Sequence, residues 1–268
     1  MNPVIAITLG DPAGIGPEII AKTLADPETY RICRPLVVGD SHAMRMGVEV
    51  AGESLTINPI TEPGEAGFSH GSIDLIDLKN LDPSRIEMGK PAAMTGAASV
   101  EYVIYAADLA LAGKVDAIVT APLNKEAMHM AGYSYPGHTE LLAEKSGTGE
   151  YAMMLATGNL RVVHATTHIP LREVADRLTE ERVLGTIYIA RDACLSLGIE
   201  EPRIAVAGLN PHAGDGGIFG DEEARIIEPA VTKARGEGLD VDGPVPADTV
   251  FPKAAGGQYD ICLLYTSP

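Results

Sequence analysis

Short apolar runs recur along the chain, each closed by a loop carrying glycine, proline or both and followed by a longer alanine-rich or amphipathic stretch. Residues 3–9 (PVIAITL), 36–39, 55–57, 73–77, 115–120 (VDAIVT), 203–207 and 259–264 (YDICLL) read as strands. The runs at 151–156 and 161–164 flank Gly158-Asn159 and read as a strand pair joined by a turn. Helices are expected from near Pro17, over 92–112, over 141–145, over 180–197 and over 221–235. Pro17 suits a first helical position, where its missing N–H would have no partner anyway. Thr179 is placed to cap the helix over 180–197, and Gly198 to end it. Strands alternating with helices predict an α/β fold with largely parallel sheets. A boundary is expected between residues 122 and 137, giving a first α/β subdomain over 1–128 and a second over 129–268.

Composition sharpens this picture. Hydrophobic residues make up 46 % of the 268 positions, yet aromatics only 4 %, and tryptophan is absent. The core must therefore be built from Ala, Val, Ile, Leu and Met, which suits helices packed on a parallel sheet. The helix over 92–112 is alanine-rich nearly all round, so it is expected to be buried or to lie at a subunit interface. A net charge of −17 argues against a nucleic-acid partner or an anionic membrane surface. No membrane span or signal peptide is read in the chain. The three cysteines, Cys33, Cys194 and Cys262, are widely spaced and odd in number. They fit reduced thiols in a cytoplasmic protein better than a disulfide framework.

Candidate chemistry gathers at strand ends. In an α/β chain, ligands sit outside the carboxyl ends of the strands. Residues 205–220 (AVAGLNPHAGDGGIFG) leave a strand and deliver His212 and Asp215 on a glycine-rich loop. Residues 161–170 (RVVHATTHIP) leave another strand and deliver His168, while His164 lies within the strand and reads as a packed histidine. Two imidazoles at one sheet edge suit a divalent transition metal, and His212 alone also reads as a solvated loop histidine. The loop from Gly10 to Glu18 lacks the third glycine of GxGxxG and the GK[ST] of a phosphate-binding loop. It reads either as a loop beside a ligand or as a structural turn. Lys125 reads as a ligand-facing ammonium or a solvated helix start. His138 and Thr139 open a helix, where free backbone N–H groups and two side chains offer an anion site; for Thr139, capping is the alternative.

Six motifs then stand in order: GDPAGIGPE (10–18), APLNK (121–125), YPGHTE (135–140), TTHIPL (166–171), GLNPHAGDGG (208–217) and GPVPADT (243–249). Together they resemble the 4-hydroxythreonine-4-phosphate dehydrogenase family of vitamin B6 biosynthesis, from the first strand to about Tyr265. The resemblance implies a two-subdomain fold related to the isocitrate and isopropylmalate dehydrogenases. It implies a homodimer with active sites at the subunit interface, NAD or NADP, and a divalent metal (Zn, Mg or Co) held by three histidines. By position, His168 and His212 match two of those ligands, and His138 and Thr139 match substrate contacts. Asp248 matches an acidic residue near the site and is the candidate proton acceptor. The implied reaction oxidises 4-phosphooxy-L-threonine, and the β-keto acid decarboxylates to 3-amino-2-oxopropyl phosphate, in pyridoxal phosphate biosynthesis. The family pattern continues Tyr-His-Asp-Gln-Gly after the last strand, whereas here Tyr265 is followed by Thr266-Ser267-Pro268. That departure carries the expectation of a C-terminally truncated chain. Two further readings stand beside the first: a paralogue acting on 4-phosphothreonate or 4-phosphoerythronate, and an inactive truncated fragment.

Overall fold

The computed structural model describes residues 2–265. It divides into two compact units, Met1–Gly149 and Glu150–Pro268. In the first unit the elements are β1 (Val4–Thr8), α1 (Gly16–Ala25), α2 (Pro27–Ile32), β2 (Arg34–Gly39), α3 (Ser41–Ala51), β3 (Thr56–Ile60), β4 (Ser72–Asp77), α4 (Ala93–Leu111), β5 (Ala117–Thr120), α5 (Lys125–Met130) and α6 (His138–Ser146). The five strands lie in the order β3-β4-β2-β1-β5, and every neighbouring pair is parallel. Central β2 is buried from Pro35 to Gly39, as a strand covered on both faces must be.

Helix α4 explains its own alanine content. Ala98, Tyr102, Ala106 and Leu109 join the core against the sheet. Val100 and Val103 pack instead with Met128 of α5 and Leu141 of α6. Small side chains let the helix be covered on two sides at once. The same packing keeps residues 129–149 in the first unit, reinforced by an ion pair of 2.9 Å between Lys145 of α6 and Asp108 of α4. The two units therefore divide some twenty residues beyond the expected position at residue 128, at Gly149–Glu150. The contacts of α5 and α6 are long-range, and nothing in their local sequence announces them.

The glycine-rich turn after β1 closes against the turn after β5. The Asp11 N–H donates to the Pro122 carbonyl at 2.9 Å. A Cβ on Gly10, whose φ is +71°, would stand 2.4 Å from that carbonyl oxygen, and one on Gly16 would stand 2.2 Å from the Leu9 carbonyl. Of the two readings of this loop, close packing accounts for both glycines.

The second unit contains β6 (Met153–Thr157), β7 (Leu160–His164), α7 (Val174–Arg177), α8 (Glu180–Ser196), β8 (Ile204–Ala207), α9 (Glu228–Gly236), β9 (Val241–Val245), α10 (Ala247–Ala255) and β10 (Ile261–Leu264). The strand order is β6-β7-β10-β8-β9. The β6–β7 pair is an antiparallel hairpin with Thr157 opposite Leu160 across the expected turn, and the other pairs are parallel. The Thr179 hydroxyl accepts the Arg182 N–H at 3.1 Å and caps α8. Val163, Ile187, Val206, Ile227, Val231 and Leu263 lie in its core. Arg203 and Asp260 tie the starts of β8 and β10 together with two side-chain hydrogen bonds of 3.0 Å.

Strand β9 was not expected, because Gly243-Pro244 reads as a loop. Its place at the sheet edge resolves the conflict, since an edge strand tolerates a proline that a central strand rejects. The architecture is otherwise the expected α/β one, with largely parallel sheets in both units. Among the described residues, no helix is long and apolar enough to cross a membrane.

Candidate functional site

In the second unit, β7 and β8 lie on either side of β10 and run parallel to it, so their following loops leave the same carboxyl edge. The chain after β7 stays beside β10 for two more residues. Ala165 donates its N–H to the Leu264 carbonyl at 2.8 Å and Thr166 to that of Tyr265 at 3.1 Å. The backbone then turns out through His168, which is exposed and holds a φ of +58°. A positive φ is uncommon outside glycine, and histidine, like asparagine and aspartate, is among the residues that adopt it more readily.

After β8, the Asn210 side chain accepts the His212 N–H at 2.9 Å. The next five residues, Ala213 to Gly217, all have positive φ, from +47° at Asp215 to +93° at Gly217. The His212 Nδ1 lies 3.8 Å from the Asp248 Oδ2, and both side chains are substantially exposed. This is too long for a hydrogen bond but within ion-pair range for a protonated ring. Asp248 is the second residue of α10, held there because α10 begins directly after β9.

His212 and Asp248 are thus brought together, and His168 emerges from the same edge. Two imidazoles and a carboxylate suit a divalent transition ion in donor chemistry. They do not complete a set: among the described residues, no three His, Cys, Asp or Glu side chains gather to hold a metal ion. The position at which the resemblance implies a third histidine is Thr266, which lies outside the described residues. His164 is buried, with Nδ1 3.2 Å from the Met153 carbonyl, and is the packed histidine expected.

In the first unit, His138 is the first residue of α6 and Thr139 the second. Gly137 occupies the capping position, and no side chain caps the helix. Capping therefore does not account for Thr139, which is exposed. The His138 Nε2 is buried with no hydrogen-bond partner, and burial holds the ring pKa below the ordinary histidine value. A neutral imidazole and uncapped backbone N–H groups lie together at this helix start. Asn124 spends its side chain capping α5, accepting the Ala127 N–H at 3.0 Å, and Lys125 is exposed beside it.

One residue with a clear structural role escaped the sequence reading. Glu223 is 5 % exposed, and its Oε1 accepts the Asn210 N–H at 2.8 Å. In sequence it is one acid in a run of three, Asp221-Glu222-Glu223, that reads as a solvated helix start.

The pyridoxal phosphate biosynthetic protein PdxA family matches residues 31–265. The chain belongs to the PdxA family. It is 49 % identical over 261 residues to the D-threonate 4-phosphate dehydrogenase of Salmonella typhimurium, spanning 97 % of this chain and 79 % of that protein. It is 45 % identical over 267 residues to the 4-hydroxythreonine-4-phosphate dehydrogenase of Desulforapulum autotrophicum, spanning 98 % of this chain and 78 % of that one. The crystal structure of 4-hydroxythreonine-4-phosphate dehydrogenase from Klebsiella pneumoniae superposes with a TM-score of 0.93 at 45 % identity, covering 99 % of this chain and 80 % of that chain. These relatives are dehydrogenases, so the PdxA family membership makes this chain a member of a dehydrogenase family.

Proposed function

We propose that this PdxA-family chain oxidises the C3 alcohol of 4-phosphooxy-L-threonine with NAD or NADP, in pyridoxal phosphate biosynthesis. The β-keto acid so formed loses its carboxyl group as CO2 and leaves 3-amino-2-oxopropyl phosphate. The observation that carries this reading is the family match over residues 31–265. The delivery of His168, His212 and Asp248 to one sheet edge supports it.

His168 and His212 would hold a divalent ion, Zn, Mg or Co, through neutral imidazole nitrogens. When bound, such an ion supplies Lewis acidity toward an alcohol oxygen, and the nicotinamide accepts the hydride. Asp248 faces the Nδ1 edge of His212 and is exposed enough to receive the alcohol proton. In the first unit, His138, Thr139 and the α6 backbone N–H groups offer donors to an anionic substrate group such as a phosphate. The working protein is a cytoplasmic homodimer that takes a small phosphorylated hydroxy acid. Its net charge of −17 sets it against nucleic-acid partners.

A second reading is supported by the Salmonella relative, whose name gives D-threonate 4-phosphate as its substrate. The two substrates differ at C2, an amine in one and a hydroxyl in the other, and both carry the same reacting alcohol and phosphate. Initial rates of NAD(P)H formation on 4-phosphooxy-L-threonine, D-threonate 4-phosphate and D-erythronate 4-phosphate separate them. Preference for the amino substrate supports the first reading. Turnover of the hydroxy acids alone replaces it with the second.

A further inference from the structure

Among the described residues, three side-chain atoms are buried without a hydrogen-bond partner: Thr8 Oγ1, His138 Nε2 and Glu223 Oε2. Of these three residues only Glu223 is an acid, and a buried carboxylate oxygen without a partner is costly to keep. Its surroundings show what it does there. Oε1 accepts the Asn210 N–H at 2.8 Å. Asn210 in turn accepts the His212 N–H on its side-chain oxygen and the Ala213 N–H on its carbonyl, both at 2.9 Å. One carboxylate thus fixes the residue from which the His212 backbone is hung. Oε2 lies beneath the next turn of the loop, where a Cβ on Gly214 would come within 2.9 Å of it. Gly214 holds a φ of +73°, so the acid and the left-handed turn fit only because that position has no side chain.

Glu223 reaches this place from a π-helical turn, Glu223–Ile227, which precedes α9. Such turns are rare and are frequent at functional sites. Tyr265 anchors the other end of the same loop, donating its hydroxyl to the Ala207 carbonyl at 2.5 Å at the last residue of β8. The His212 side chain has no comparable buried support, since its nearest charged neighbour, Asp248, is 3.8 Å away and exposed.

We propose that Glu223 is a positioning residue for His212, acting through the backbone of Asn210. Its consequence for metal binding rests on the reading of His212 as a metal-holding residue. The positioning itself does not. The carboxylate–amide bond is charge-assisted, so it outweighs an ordinary loop hydrogen bond. A ligand side chain depends on such outer contacts for its orientation.

The test uses the 268-residue chain and the variants Glu223→Ala, Glu223→Gln and Glu223→Asp, with circular dichroism confirming the fold of each. Amide hydrogen exchange and the NMR shifts of the His212 ring are measured first, without metal. In Glu223→Ala the Asn210 amide is expected to lose protection and the His212 ring signals to shift or broaden. Glu223→Gln, which keeps an acceptor oxygen, is expected to restore both. If the Ala variant does not fold, Glu223→Asp withdraws the acceptor by one carbon–carbon bond and serves the same comparison. Co2+ alone is then titrated, with an expected rise in Kd of about tenfold or more for the Ala variant and return toward wild type for Gln. Unchanged Asn210 protection and His212 signals in the Ala or Asp variant overturn the proposal, as does failure of Gln to rescue them. His212→Ala separates the two ideas: if it keeps wild-type Co2+ affinity, the ligand reading fails while the exchange data still decide the role of Glu223.

Discussion

Burial of His138 disfavours its charged form, and Nε2 has no acceptor to offset that cost. Above the ordinary histidine pKa of about 6.5 the folded and unfolded chains both carry it neutral, and it contributes no pH dependence. As pH falls through that value the unfolded chain takes up the proton first, so stability declines until the lower folded pKa is also passed. Denaturation midpoints measured from about pH 7 to pH 5 should therefore fall more steeply for the wild type than for His138→Gln. Parallel slopes would count against a neutral, buried ring. An anion drawn to the start of α6 should raise the His138 pKa and flatten the difference, because a negative charge favours the imidazolium. Much of this residue was legible in advance: a histidine directly after Tyr135-Pro136-Gly137 reads as a helix start. That Thr139 is no cap was not legible, because the capping place falls to Gly137 only once the helix is seen to begin at His138.

At the scale of elements, the turns after β1 and β5 meet backbone to backbone, the Asp11 N–H on the Pro122 carbonyl. Gly10→Ala places a Cβ 2.4 Å from the Pro122 carbonyl oxygen at a φ of +71°. It should destabilise the first unit by about 2–4 kcal/mol, from strain and displaced packing together. Urea denaturation reads this directly, and a loss below about 0.5 kcal/mol would show that the two turns separate freely. Strands and long helices were readable because their apolar periods are local. Three elements resisted, for two different reasons. In β9, Gly243-Pro244 disguises a strand that survives only because it is at an edge. Helices α5 and α6 belong to the first unit through contacts with α4, which precedes them across β5 and which their own local sequence does not announce. Glu223 resisted for a third reason: an acid in Asp221-Glu222-Glu223 looks solvated until the loop of Asn210 closes over it.

At the scale of the molecule, two α/β units each carry part of the proposed chemistry. The second bears His168, His212 and Asp248, and the first bears His138 and Thr139. Family membership and a close structural match across 99 % of the chain support a dehydrogenase, while the described residues do not assemble a three-ligand metal group. These two facts meet in one experiment. The purified 268-residue chain is supplied with Zn2+, Mg2+ or Co2+, then with NAD+ or NADP+ and the phosphorylated four-carbon acids, and absorbance of the reduced nicotinamide is followed before and after a chelator. Steady formation of NADH or NADPH, abolished by the chelator and restored by the ion, is the expected result. No reduced nicotinamide with any of these substrates, or a rate indifferent to chelation, would contradict the proposed metal-dependent dehydrogenase.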